Sequence, residues 1–233
     1  PYTTLFRSRS CVPLSATPHA TPRPMIPANE ALQRLCEGNL RFVSEVSGRE
    51  GSITQSRRLE LTAGQTPFAI ILGCSDSRVP AELVFDQGLG DLFVIRVAGN
   101  IVAPSQVGSV EFAATRFDTK LVVVLGHSNC GAIDTTLEEL ARPTASQSRN
   151  LHSIVDRIRP SIEALLDTEL RHDHDALVEQ AVRANIRASA NHLRHGSEVL
   201  EYLIAKDGVR IVGAEYSLET GFVDFFDGMA DVD

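Results

Sequence analysis

Two segments of this chain share one design. Phe68-Ala-Ile-Ile-Leu-Gly73 runs directly into Cys74-Ser-Asp-Ser-Arg78, and Lys120-Leu-Val-Val-Val-Leu-Gly126 runs into His127-Ser-Asn-Cys-Gly131. Each apolar run is continuous rather than alternating, which is how a strand reads when a parallel sheet is covered on both faces. In an open parallel sheet the functional groups gather beyond the carboxyl ends of the strands, so both tails are expected on one edge. Cys74, His127 and Cys130 would then meet in space without being neighbours in sequence. Two thiolates and an imidazole suit zinc and leave a fourth tetrahedral position open. Cys130 is expected at the start of the following helix, where the helix dipole favours its thiolate. Plainer readings stay open at this level, because an isolated His-x-x-Cys often binds nothing and a cysteine after a strand often only packs.

The rest of the chain supplies strands alternating with helices. The spacing of Ala31, Leu32, Leu35, Leu40, Phe42 and Val43 predicts a first helix with Asn29 as its N-cap. A polar stretch, Ser47 to Arg58, separates it from the turn Gly64-Gln-Thr-Pro67. Asp91–Val97 and Val209–Ala214 read as further strands, with Gly221–Phe226 as a fifth. Helices are expected around Val107–Phe117, Cys130–Leu140, Ser153–Leu166 and Asp175–His195, and from Ser197 as N-cap to about Ala205. The fold class this implies is α/β: a mostly parallel central sheet of four to five strands flanked by helices.

Length and charge narrow the function. A chain of 233 residues supports one sizeable core. The net charge of −8, with no basic stripe, argues against nucleic acid as a partner. No apolar run reaches the ~18 residues of a membrane span, and no secretory signal is evident, so a soluble, cytoplasmic protein is expected, with its four cysteines reduced or on metal. Pro1–Ser8 resembles the translation of a common sequencing adapter, and residues 1–24 are read as an artefactual or disordered tail before a single domain over 25–233. His172/His174 and His192/His195 lie in polar surroundings and read as solvated surface. Cys36 reads as a packed thiol, and Gly88-Leu-Gly90 as a turn.

The order Cys-x-Asp-x-Arg at 74–78, followed 53 residues after Cys74 by His-x-x-Cys at 127–130, resembles the β-class carbonic anhydrases. The resemblance extends from about Asn29 to Phe226 and includes Gly38-Asn-Leu-Arg-Phe-Val43, Gly64-Gln-Thr-Pro-Phe68, Phe85-Asp-Gln-Gly-Leu-Gly-Asp-Leu-Phe93 and Arg96-Val-Ala-Gly-Asn100. It implies zinc-dependent, reversible hydration of CO₂ to bicarbonate and a proton, with one Zn²⁺ per chain held by Cys74, His127 and Cys130. It also implies that Asp76 accepts a hydrogen bond from the attacking hydroxide, or swings onto zinc as a fourth ligand in a closed state, while Arg78 holds Asp76 ionised and aimed. Gln65 would donate to substrate and the Gly131 amide would steady the bicarbonate oxygens. Phe93, Ala98 and Phe112 would line the CO₂ pocket, largely from a partner subunit, although each also fits core packing. The assembly implied is a homo-oligomer, a dimer or a dimer of dimers, with the Asn29–Val43 helix packing on a partner. One departure stands out: some family members carry a tryptophan at a second, inhibitory bicarbonate site, and here that position is Ile71 in a chain without tryptophan. Two alternatives remain at this level, hydrolysis of carbonyl sulfide or carbon disulfide at the same zinc, and a structural zinc module. Asp76 and Arg78 beside the metal speak against the second.

Overall fold

The apolar runs form strands whose alternate residues serve opposite faces. In the computed structural model, which describes residues 26–46, 54–142 and 148–229, β1 (Ala69–Gly73) and β3 (Leu121–His127) are buried along their whole length. Ile70, Leu72, Val122 and Val124 point into one apolar cluster, while Ala69, Ile71, Leu121, Val123 and Leu125 point into the other. Neither strand has a solvent face, hence the missing alternation.

Around this pair lie β2 (Leu92–Arg96), β4 (Arg210–Tyr216) and β5 (Val223–Asp227), in the order β2-β1-β3-β4-β5. All pair parallel except β5, which returns antiparallel to β4 with an irregularity at Gly213/Ala214. The chain leaves β1 toward β2 on one side and leaves β3 toward β4 on the other, so the strand order reverses between β1 and β3. A crevice opens beyond the carboxyl ends of two such strands.

Helices cover both faces. α1 (Ala28–Val43) and the short α3 (Ala81–Val84) lie on one; α4 (Pro104–Arg116), α5 (Gly131–Ala141), α6 (Arg149–Ile162), α7 (His174–His195) and α8 (Glu198–Asp207) build the other. α7 lies against β3 and β4, with Ile186 over both strands. A Cβ at Gly126 would sit 2.5 Å from Ile186 Cδ1, and one at Gly213 would sit 2.8 Å from its Cγ2. Among the described residues no helix is long and apolar enough to cross a membrane.

The structure corrects the sequence reading in several places. α1 begins at Ala28 after Pro27, with Asn29 already inside the helix. One face of the helix also packs within its own chain. Leu32 and Leu35 are buried in the cluster with Ile71 and Val123, and Asn39 ties the helix to the Val84 and Gly221 carbonyls and the Val223 amide. The polar stretch before β1 contains a helix, α2 (Gln55–Leu61), with no buried residue and with Thr54 accepting from the Arg57 amide. Its exposed, unpatterned residues give no periodic signal. α6 starts earlier than expected, where Ser148 caps it, and passes into 3₁₀ turns beyond Ile162. The tail at 1–24 lies outside the described residues.

Candidate active site

Cys74 follows β1 directly, and His127 is the last residue of β3, whose register pairs Gly73 with Leu125. Adjacent strands therefore deliver a thiol and an imidazole to the same point. Two residues on, Asn129 turns through a left-handed φ of 53° and leaves Cys130 as the N-cap of α5. Ser128 fixes this short loop, its amide donating to the Tyr216 carbonyl and its hydroxyl accepting from the Leu218 amide at 2.9 Å.

The three groups meet. Their ligand atoms all lie within 4.8 Å of one another, with Cys74 Sγ 4.0 Å from Cys130 Sγ, and all three residues are buried. His127 Nδ1 is 2.9 Å from the Ser128 carbonyl oxygen, which can only accept, so Nδ1 carries the hydrogen. Its Nε2 is buried and has no partner. An orphaned buried lone pair is costly unless something outside the protein takes it.

The electrostatics agree with a cation at this point. The Cys74 thiol is pulled down, first by the hydrogen bond from Cys130, against burial, and then by His127 and the amides of Asp76 and Gly99. Cys130 is pushed up by that same contact and by burial, because two bare thiolates this close repel. Burial opposes protonation of His127, but contacts with Cys74, the Ser128 carbonyl and Asp76 outweigh it and the imidazole pKa rises. A divalent cation would satisfy both sulfurs and Nε2 together. The donor set fits zinc.

Asp76 stands beside the cluster, Oδ2 lying 3.8 Å from His127 Nε2. Its carboxylate is gripped on both oxygens. Oδ1 accepts from the Arg78 amide and Nε, both at 2.9 Å, and Oδ2 accepts from Arg78 Nη2 at 2.7 Å. Hydrogen bonding to Arg78 holds this carboxyl well below the usual carboxylate range. Arg78 also reaches the Asn129 carbonyl, bridging the two strand-end segments. Arg96 donates to the backbone carbonyls of Cys74 and Asp76 and locks the first segment.

The remaining candidates divide. Gly131 is exposed in the first turn of α5, next to Cys130, and Ala98 is half-buried in the turn beside Gly99, whose amide donates to Cys74 Sγ at 3.4 Å. Gln65, Phe93 and Phe112 are not brought to the cluster. Gln65 is exposed on the loop entering β1, at the opposite end of that strand from Cys74. Phe93 pairs with Ile70, four residues before Cys74, or roughly 13 Å back along the strand. It stacks with Phe112 and Phe117 at centroid separations of 6.2 and 6.0 Å, and Phe112 remains 53% exposed.

Comparison with known proteins decides the family: the carbonic anhydrase family profile matches residues 69–223. This chain belongs to the β-carbonic anhydrases. The family catalyses zinc-dependent hydration of CO₂, and the chain is an enzyme of that family. It is 39% identical to carbonic anhydrase 2 of Mycobacterium tuberculosis over 193 residues, covering 82% of this chain and 89% of the relative. It is 37% identical to a carbonic anhydrase of Mycolicibacterium smegmatis over 204 residues, covering 87% and 95%. The crystal structure of CafA, a β-carbonic anhydrase of Aspergillus fumigatus, superposes with a TM-score of 0.67 at 25% identity, covering 85% of this chain and 90% of that one.

Sequence reasoning missed Arg96 and Gly99, which bond to Cys74, and Asn185 and Ser189, whose side chains donate to the Gly99 and Asn100 carbonyls. The first two sit in the quoted Arg96–Asn100 stretch without a role read from them. The other two are polar residues one turn apart on the otherwise apolar buried face of α7, a break in pattern that could have drawn attention.

Proposed function

We propose that Cys74, His127 and Cys130 hold one Zn²⁺ per chain, and that Asp76 and Arg78 are the groups that work beside it in reversible CO₂ hydration. The observation that carries this is the orphaned, buried Nε2 of His127 facing two thiols and an ionised carboxylate. Zinc bound there would supply the Lewis acidity that makes water a nucleophile near neutral pH.

The chain's own residues do the rest. Arg78 keeps Asp76 ionised and fixes both carboxylate oxygens, so Oδ2 is aimed toward His127 Nε2 and accepts a hydrogen bond from the attacking water. The same grip holds Asp76 off the cluster, and its closure as a fourth ligand would require breaking the Arg78 contacts. The Gly131 amide, unpartnered by the helix in its first turn, is available to the carboxylate oxygens of bicarbonate. Ala98 contributes apolar wall beside Cys74.

Gln65, Phe93 and Phe112 reach a site only if a second copy presents them, because within one chain they stand at the far end of β1 and β2. The reading therefore includes a homodimer, or a dimer of dimers, in which Gln65 orients CO₂ and the half-exposed Phe112 and Phe93 dry its pocket. Residues 25–233 act as one catalytic domain. A reducing compartment, the cytoplasm, suits a chain whose Cys36, Cys74 and Cys130 are free thiols.

Asp76→Asn tests the assignment. The variant is expected to keep its zinc and lose most CO₂ hydration, of the order of 10²-fold or more. Full activity in a zinc-loaded Asp76→Asn protein would remove Asp76 from the mechanism.

A further inference from the structure

The face that α7 turns toward the sheet is apolar except at two buried positions, Asn185 and Ser189. A carboxamide and a hydroxyl in such a place are tolerated only when paired. Both are paired with the same short turn of backbone. Asn185 Nδ2 donates to the Gly99 carbonyl at 2.8 Å, and Ser189 Oγ donates to the Asn100 carbonyl at 3.1 Å.

That turn is an unusual one. Gly99 and Asn100 are consecutive left-handed residues, at φ 68° and 43°. Asparagine takes left-handed backbone more readily than most residues, but such residues normally occur singly. The space is equally demanding: a Cβ at Gly99 would lie 2.8 Å from Ile158 Cδ1 and 3.1 Å from Ala132 Cβ. What the turn delivers is the Gly99 amide, directed at Cys74 Sγ. The carbonyls bonded from α7 belong to the two peptide planes that follow this amide.

We propose that Asn185 and Ser189 are positioning residues for the metal centre, holding the Gly99–Asn100 turn so that the Gly99 amide hydrogen-bonds the Cys74 sulfur and limits the electron density that sulfur gives to the metal. The inference rests on the zinc reading above. An N–H donor withdraws charge from a thiolate, and a thiolate that donates less leaves its metal the stronger Lewis acid. Partners one step removed from a metal tune it in this way. Helix α7 thus joins the metal centre to the sheet, since Ile186, next to Asn185, packs over Gly126 immediately before His127.

Cobalt(II) exchanged into the full-length protein supplies the test, because thiolate-to-cobalt charge-transfer absorption reports donation from sulfur directly. Asn185→Ala and Ser189→Ala are expected to move that band to lower energy, because a sulfur freed of its N–H donor gives more charge to the metal. Ser189→Thr, which keeps a hydroxyl, is expected to retain the native band. Ile186→Val on the same helix is expected to lower the melting temperature without moving it. Should Asn185→Ala prove too unstable to purify, the two Ser189 variants decide the matter. A wild-type band position in both alanine variants, whatever their melting temperatures, would overturn the inference. A wild-type protein with no thiolate-to-cobalt band would instead overturn the zinc reading on which it stands.

Discussion

Asp76 is held ionised by its neighbour, and that contact ties stability to pH. Hydrogen bonds from Arg78 depress the carboxyl in the folded protein, whereas in the unfolded chain it titrates near ~3.9. A carboxyl depressed on folding adds stability above its unfolded pKa and loses it as pH falls toward the folded value. Wild type is therefore expected to exceed Arg78→Ala in stability at pH 7, with the difference shrinking as the pH falls below about 4. Denaturant titrations of both proteins at neutral and acid pH check this, and a gap that widens with acid would contradict it. At this scale the sequence was informative about Cys74, Asp76, Arg78, His127 and Cys130, because their chemistry is carried by residue type and by position at a strand end. It was silent about Arg96 and Gly99. Both act through backbone groups, one by donating to carbonyls and the other through its amide, and backbone partners leave no trace in residue identity.

Strand ends are the element that makes the site. Adjacent parallel strands in register bring Cys74 beside His127 for the same reason that their apolar runs can be recognised: both sheet faces are covered. The elements that could be read were those with a large buried face, such as β1, β3 and α7. Those that could not were α2, which buries nothing, and the start of α1, where Pro27 rather than Asn29 precedes the helix. Gly126 shows how tightly one element depends on another. Its missing side chain admits Ile186, so Gly126→Ala is expected to cost about 1–3 kcal/mol through overpacking. Ile186→Ala alone should cost about 2–5 kcal/mol through the cavity it leaves. Combining the two should cost less than the sum of the single changes, because each relieves the other. Strict additivity in a denaturation cycle would refute that packing account.

For the whole molecule, Gln65, Phe93 and Phe112 stand away from the cluster of their own chain, so the proposed roles for them carry the prediction that activity requires assembly. Mixed subunits test this. If one copy lends Gln65 to the other, a dimer of Asp76→Asn with Gln65→Ala rebuilds one native site out of two. Random pairing of the two inactive variants should then restore roughly a quarter of wild-type activity. No gain on mixing and exchanging subunits would show that each chain works alone. The family, the sheet and the metal cluster were legible from two motifs. The homo-oligomer expected from the resemblance has no such mark in the residues themselves, since an exposed phenylalanine at 112 has the same identity whether it packs in a core or meets a partner.

The most direct measurement is CO₂ hydration followed by stopped flow on protein whose zinc content is determined in the same sample, for wild type and for Cys74→Ser and Cys130→Ser. Wild type should carry one zinc per chain and turn over CO₂ in proportion to it, and both serine variants should lose zinc and activity together. Undiminished hydration in zinc-free protein, or full zinc retention in both variants, would contradict the assignment of this centre.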